Sequence, residues 1–422
     1  MRFLELKELS RSERLRLIDR KTNFEEAVER VKPIVQDVKQ RGDEALRMYT
    51  QKFDGVSLED FKVAEEEFAD ARKDVDASVA DALKKARDNI VEYHERQLKG
   101  EWSYEKDGIK LGEIWRPIAS AGCYIPGGRA AYPSTALMTI IPAKVAGVER
   151  IVCVTPPNSE GKVNPYVLTA CEIAGATEVY KVGGSQAIAA LAFGTKIIPG
   201  VEKIVGPGNI YVTAAKDVVS RFVPIDMPAG PSEVLIIADG HANPDYVALD
   251  MIAQAEHDPN AHSILVTTSK EVASKVAEML NEHIAGKGRG AEALEKNGGV
   301  FVVDELEDAV RFSNDYAPEH LELLVEEPRS LLNGISNAGS VFVGEYSPVP
   351  LGDYATGTNH VLPTMGYARV FSGLSVGDFM KRISVQEASK EGLKRLAEVV
   401  VTLAKAEGLE AHAESIRKRM ER

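Results

Sequence analysis

Imidazoles and carboxylates gather in four short segments of this chain: Gln254-Ala255-Glu256-His257, Pro318-Glu319-His320, Gly352-Asp353-Tyr354 through Asn359-His360, and Glu407 through His412. Half of the eight histidines lie there. Imidazole nitrogen, carboxylate oxygen and amide oxygen are ligands for a borderline divalent metal such as zinc, and the same groups act as general bases near neutral pH. The chain reads as a metal-containing enzyme.

Asn243-Pro244 is a cap followed by a first-turn proline, so a helix is expected from Asp245 to His257, ending before Pro259. Gln254 and His257 are then three residues apart on one face and can share a metal. A polar helix end facing solvent has the same pattern. Glu319 and His320 precede an apolar strand, Leu321 to Val325, and on a loop at its entrance they can converge on one substrate as two bases. A solvated turn is the plainer alternative. The stretch from Gly352 to His360 has small residues and no hydrophobic period, the composition of a loop that approaches a ligand. Asp353 is its only carboxylate and the metal candidate; His360 fits a hydrogen-bonding role better.

The elements that must position these groups alternate. From Ala119, short β-branched runs are followed by glycine turns and helices: AGCYI, RIVCVT, EVYKVGG and KIVGPGN each lead into one. A second such series, EVLIIAD, HSILVTTS, GVFVVD, HLELLV and GSVFVG, follows the stiff crossing Ile225 to Ser232. This predicts α/β architecture with parallel sheets and ligands at the carboxyl ends of the strands. Before these, Phe24, Val28, Val31, Ile34, Val35 and Val38 predict a helix capped by Asn23, and Val79, Leu83, Ala86, Ile90 and Tyr93 a second long one from about Asp76 to Arg96. After Gly377 the tail reads as nearly all helix.

Gly183-Gly184-Ser185-Gln186 and Gly206-Pro207-Gly208-Asn209 each open a helix after a strand, and Tyr124-Ile125-Pro126-Gly127-Gly128 ends a strand of the same sheet. Free N–H groups there favour phosphate, which suggests a nucleotide crevice. None contains G-x-G-x-x-G, and tight turns needing positive φ explain the glycines equally well.

With 422 residues, 44% of them hydrophobic, the chain can bury two or three cores without staples. Cys123, Cys153 and Cys171 are too few and too scattered for a disulfide framework or a thiolate metal site, which fits a reducing cytoplasm. No run of about 18 apolar residues and no secretory h-region is present, so neither membrane insertion nor secretion is expected. A formal charge of -13 makes nucleic acid a poor partner.

Taken in order, GCYIPGG, VGGSQAIAALAFGT, VGPGN, IDMPAGPSEVLIIAD, AQAEHD, APEHLEL, GDYATGTNHVLPT and AEGLEAH closely resemble the histidinol dehydrogenase family from about residue 24 to the C-terminus. The resemblance implies oxidation of L-histidinol to L-histidine through L-histidinal, by two hydride transfers to NAD. It implies a homodimer with shared active sites and one zinc per subunit, held by Gln254, His257 and Asp353 of one chain and His412 of the other. Ser232, His320 and Glu407, together with the zinc ligands, would contact substrate. Tyr124, Gln186 and Asn209 would contact NAD, in a family whose NAD site lacks the usual glycine fingerprint. His320 would take the hydroxyl proton and Glu319 would activate water.

The expected fold is thus α/β, two incomplete Rossmann-like parallel-sheet domains with small helical extensions at both ends. Residues 1–23 form the first extension, 24–118 with 233–376 the metal and catalytic domain, 119–232 the NAD domain, and 377–422 a tail reaching the partner's site. Two rivals are a zinc and NAD dehydrogenase of another small polar alcohol and a non-catalytic metal-stabilised protein. Glu407 argues against the first, because a carboxylate suits an ammonium-bearing substrate. The adjacent bases Glu319 and His320 argue against the second.

Overall fold

A computed structural model of the chain describes residues 2–18, 20, 24–127 and 131–421. The expected cap Asn23 and Gly128 lie outside the described residues. Two compact units are present, Met1–Arg96 with Ala119–Phe379, and Gln97–Ile118 with Met380–Arg422.

The larger unit is α/β and holds two parallel sheets. In the six-stranded sheet the order is Arg2–Glu5, Gly298–Val302, His262–Thr267, Glu233–Ala238, His320–Leu324, Ser340–Val343. Its central strand alternates between two cores: Val234, Ile236 and Ala238 pack on one face, Leu235 and Ile237 on the other. A strand buried on both faces reads as an unbroken apolar run, as VLIIA does from Val234 to Ala238. The four-stranded sheet is ordered Glu178–Lys181, Arg150–Thr155, Ser120–Tyr124, Lys203–Val205. Its chain order reverses beside Ser120–Tyr124, the kind of switch point at whose carboxyl edge open α/β sheets bind ligands.

The helix Phe24–Arg41 buries Ala27, Val31, Val35 and Val38 and turns Pro33 to solvent, so the proline disturbs only the outer face. That apolar stripe packs with Val152, Ile188 and Val212 over the four-stranded sheet. Residues 24–54 therefore sit with the 119–232 layer, not with 233–376 as expected, because the stripe matches that sheet's helices. The N-terminal stretch is not wholly helical either. Arg2–Glu5 adds a parallel edge strand to Gly298–Val302 before the helix Arg11–Ile18.

In the smaller unit Trp102–Lys106 and Ile109–Pro117 form a hairpin turned by Asp107 (φ 55°) and Gly108 (φ 77°), and Met380–Ala388 pairs antiparallel with its second strand. The Asp-Gly pair is a strong hairpin signal. The tail thus begins as a strand, and the helices Lys390–Ala406 and Glu410–Met420 follow. The three cysteines, far apart in sequence, are buried and free, and Cys123 pairs with Cys153 across neighbouring strands.

Candidate active site

The helix Leu306–Tyr316 ends in Ala317, held at φ 51°, and Pro318 then directs the chain into strand His320–Leu324. Glu319 and His320 are 5% and 4% exposed, so a solvated turn is ruled out. Gly339 lies against this entrance: a Cβ there would stand 2.6 Å from the Glu319 carbonyl oxygen.

Glu319 Oε2 accepts the Glu233 N–H at 2.8 Å, and His320 Nδ1 lies 3.0 Å from the Glu233 carbonyl oxygen. A carbonyl only accepts, so Nδ1 carries the hydrogen and Nε2 is the free lone pair of the neutral ring. Nε2 is buried, lacks a hydrogen-bond partner, and stands 3.6 Å from Asp353 Oδ1. Burial opposes the imidazolium, but the Glu319 charge and the Asp353 carboxylate outweigh it and hold His320 well above the ordinary imidazole value.

Glu233 is itself buried and anchors this pair. Its Oε2 accepts from Arg20 at 2.9 Å and its Oε1 from Met365 N–H at 2.9 Å, while Arg20 stacks 3.6 Å over the Tyr316 ring. Removing one member of such a buried pair typically costs about 3–5 kcal/mol, so the two are held together.

Asp353 occupies the last turn of a short helix, Val349–Tyr354, and not the loop expected from its small neighbours. The loop begins just after it and is fixed by Asn89, whose amide donates to the Ala355 carbonyl at 2.6 Å. Burial pushes the Asp353 carboxyl up, but His320, then His360 and His257, draw it below its ordinary value. His360 donates from Nδ1 to the Asp353 carbonyl oxygen at 2.8 Å, the hydrogen-bonding role its composition suggested. Asn243 caps the helix Pro244–Ala255 as expected, and that helix runs back to the sheet edge where His320 and Ser232 lie. Gln254, 2% exposed, has a buried amide nitrogen without a partner, and His257 follows it in an exposed turn.

All these groups lie at the amino edge of the six-stranded sheet, opposite to the edge expected. The return helices bring them there. The nucleotide-site candidates do lie at a carboxyl edge, that of the four-stranded sheet. Tyr124 Oη accepts the Gly184 N–H at 3.1 Å, and burial pushes its hydroxyl up to about 12. Gln186 is buried with neither amide atom hydrogen-bonded, and Asn209 caps the helix Ile210–Val219 through its side-chain oxygen. Gly206 (φ 115°) approaches Tyr124 so closely that a Cβ would meet its carbonyl oxygen at 2.2 Å. The buried Lys216–Asp226 pair grips it: Lys216 donates to the Gly206 carbonyl and Gly206 N–H donates to Asp226, both at 2.8 Å. The two edges meet through Thr135, which follows the Tyr124 loop and lies 3.4 Å from His360 Nε2.

Glu407 and His412 belong to the smaller unit and are exposed. They flank the break at Gly408 (φ 73°) between the two terminal helices.

Sequence reasoning passed over two buried acids. Glu233 and Glu322 are 1% and 0% exposed inside otherwise apolar strands, EVLIIA and HLELL, and a lone carboxylate in such a run was the available signal. Burial, then the nearby Asp250 charge, pushes Glu322 up to about 8. The folded protein therefore holds a proton that the unfolded chain releases, and stability should fall as pH rises from about 5 to about 8. Glu322→Gln should flatten that slope in urea unfolding of metal-free protein. Parallel slopes in the two proteins would contradict the burial argument.

The model of the histidinol dehydrogenase family matches residues 18–420. The histidinol dehydrogenase of Methanocaldococcus jannaschii is 53% identical over 98% of each chain, and that of Bacillus cereus 48% identical over 94% of each. The chain belongs to the histidinol dehydrogenase family. A crystal structure of the Elizabethkingia anophelis histidinol dehydrogenase superposes with a TM-score of 0.93 at 39% identity, covering 100% of this chain and 98% of that one. Membership makes the chain an oxidoreductase of histidine biosynthesis, acting on histidinol. No helix among the described residues is long and apolar enough to cross a membrane.

Proposed function

We propose that Glu319 and His320 are the two bases of a four-electron oxidation, L-histidinol to L-histidine through L-histidinal, within one enclosed site. The observation that carries this reading is the unpartnered, buried Nε2 of His320 beside Asp353, with the Glu319 carboxylate on the same wall. In its neutral form His320 takes the hydroxyl proton at Nε2 in the first step, and the Glu319 and Asp353 charges stabilise the imidazolium that results. Glu319 removes a proton from the water that hydrates the bound aldehyde, and His320 serves again in the second oxidation. Burial of both bases keeps the aldehyde from side reactions.

Gln254, His257 and Asp353 would hold one zinc. Among the described residues no three His, Cys, Asp or Glu side chains form a metal cluster. The proposed set fits that observation, since a single chain supplies only one imidazole, one carboxylate and one amide oxygen. The fourth ligand would be the other subunit's His412, and its Glu407 would meet the substrate ammonium beside Ser232 of this chain. When bound, zinc would fix the substrate's imidazole and amino nitrogens and take up the Asp353 charge. Tyr124, Gln186 and Asn209 would hold NAD, which would supply the acceptor for the hydride leaving the substrate carbon; the two orphaned amide atoms of Gln186 suit a polar ligand there.

A homodimer is supported by the smaller unit. Leu396, Val399, Val400 and Leu403 of its helix are exposed, as are Ile383 and Val385 of its strand, an apolar surface that a second copy would cover. A polar substrate and NAD suit the cytoplasm.

The reading is tested by NAD reduction on zinc-replete protein with L-histidinol, other small amino alcohols and hydroxy acids. Turnover with L-histidinol should exceed the others by at least about a hundredfold in kcat/KM, because unpaired buried polar groups penalise analogues. Equal turnover of a hydroxy acid would favour the paralogous dehydrogenase.

A further inference from the structure

Glu322 lies two residues beyond His320 on the same strand and is fully buried. Its Oε1 accepts the Val349 N–H at 2.9 Å. Val349 is the first residue of the helix that ends in Asp353 and Tyr354, so the carboxyl holds that helix by its amino end. The other oxygen, Oε2, is buried without an N–H or O–H donor among the described residues. The Asp250 carboxyl lies within hydrogen-bonding reach of the Glu322 side chain. Two carboxyls can make that contact only by sharing an acid proton. Asp250 precedes Gln254 by one helical turn on the same face. One side chain thus touches the helix bearing Asp353 and the helix bearing Gln254 from the strand that begins at His320.

We propose that Glu322 is a positioning residue: through Val349 and Asp250 it locks the two ligand-bearing helices to the His320 strand and so sets the site's affinity for zinc. The proposal rests on the reading of Gln254, His257 and Asp353 as ligands. Partners that orient metal ligands from behind commonly contribute about 10–100-fold in metal affinity. Glu322 does so at one remove, through backbone and helix.

Zinc affinity of the full-length, metal-stripped protein, measured by competition with a chromogenic chelator, tests this alongside the thermal midpoint of the stripped protein. Val349→Pro deletes the donor and leaves the carboxyl in place. Proline is accepted at a first helical position, and Pro348 before it is already extended (φ -70°, ψ 155°). Val349→Pro and Glu322→Ala should each weaken zinc by about 10–100-fold. Glu322→Gln should stay within about threefold, because its amide oxygen accepts from Val349 and its NH2 donates to Asp250. Asp353→Asn is the control for the ligand reading. If it loses zinc while folded Val349→Pro and Glu322→Ala bind as tightly as the native protein, the positioning role is wrong. That role is equally wrong if Glu322→Gln loses as much affinity as Glu322→Ala. If Glu322→Ala does not fold, Val349→Pro against Glu322→Gln decides the matter. Unchanged binding in Asp353→Asn would remove the ligand assignment, and the proposal with it.

Discussion

His320→Asn is expected to lower kcat for both histidinol and supplied histidinal by about two to four orders of magnitude, the usual contribution of a positioned general base. Asparagine can keep a donor near the Glu233 carbonyl but has no basic nitrogen where Nε2 stands. Glu319→Gln should separate the half-reactions. Its amide oxygen can still accept from Glu233 N–H, so the strand entrance is preserved. Alcohol oxidation should suffer less than histidinal oxidation, because only the aldehyde step needs an activated water. Equal losses in both half-reactions for Glu319→Gln would mean that the two roles are misassigned.

The composite site should announce itself by complementation. His412→Asn and His257→Asn homodimers should each bind zinc poorly and be nearly inactive, since every site loses one ligand. In a heterodimer one site collects both lesions and the other none. Random exchange makes half of the dimers heterodimers, so mixing should restore up to about a quarter of native activity. Mild unfolding and refolding assists exchange between subunits that share ligands. Verified heterodimers as inactive as their parents would show that His412 does not serve the partner's site.

Much of this site was legible before the fold. Asn243-Pro244 placed a helix start, and the count from there put Gln254 in its last turn, but the helix stops at Ala255 and His257 lies beyond it. The apolar runs EVLIIA and HSILVT became strands because both their faces are covered. What escaped was non-local or weakly patterned. Trp102–Lys106 and Met380–Ala388 are almost wholly exposed, so no apolar alternation marked them as strands. The partner of Met380 is Pro117, far away in sequence. Arg2–Glu5 is too short to show a period and is ordered by pairing with Gly298–Val302. Asp353 looked like loop because Gly352 and Tyr354 carry no helical stripe. There Phe342 packs so close to Gly352 that a Cβ would lie 2.7 Å from the ring. Glu233 and Glu322 were hidden by their context, since a sequence shows an acid in a strand but not the Arg20 or Asp250 that meets it.

Stoichiometry tests the central claim most directly. With limiting L-histidinol and excess NAD, zinc-replete protein should yield two NADH and one L-histidine per histidinol consumed, with no free aldehyde trapped by an added carbonyl reagent. One NADH per histidinol, with histidinal accumulating in solution, would contradict the account of two bases serving two oxidations in one site.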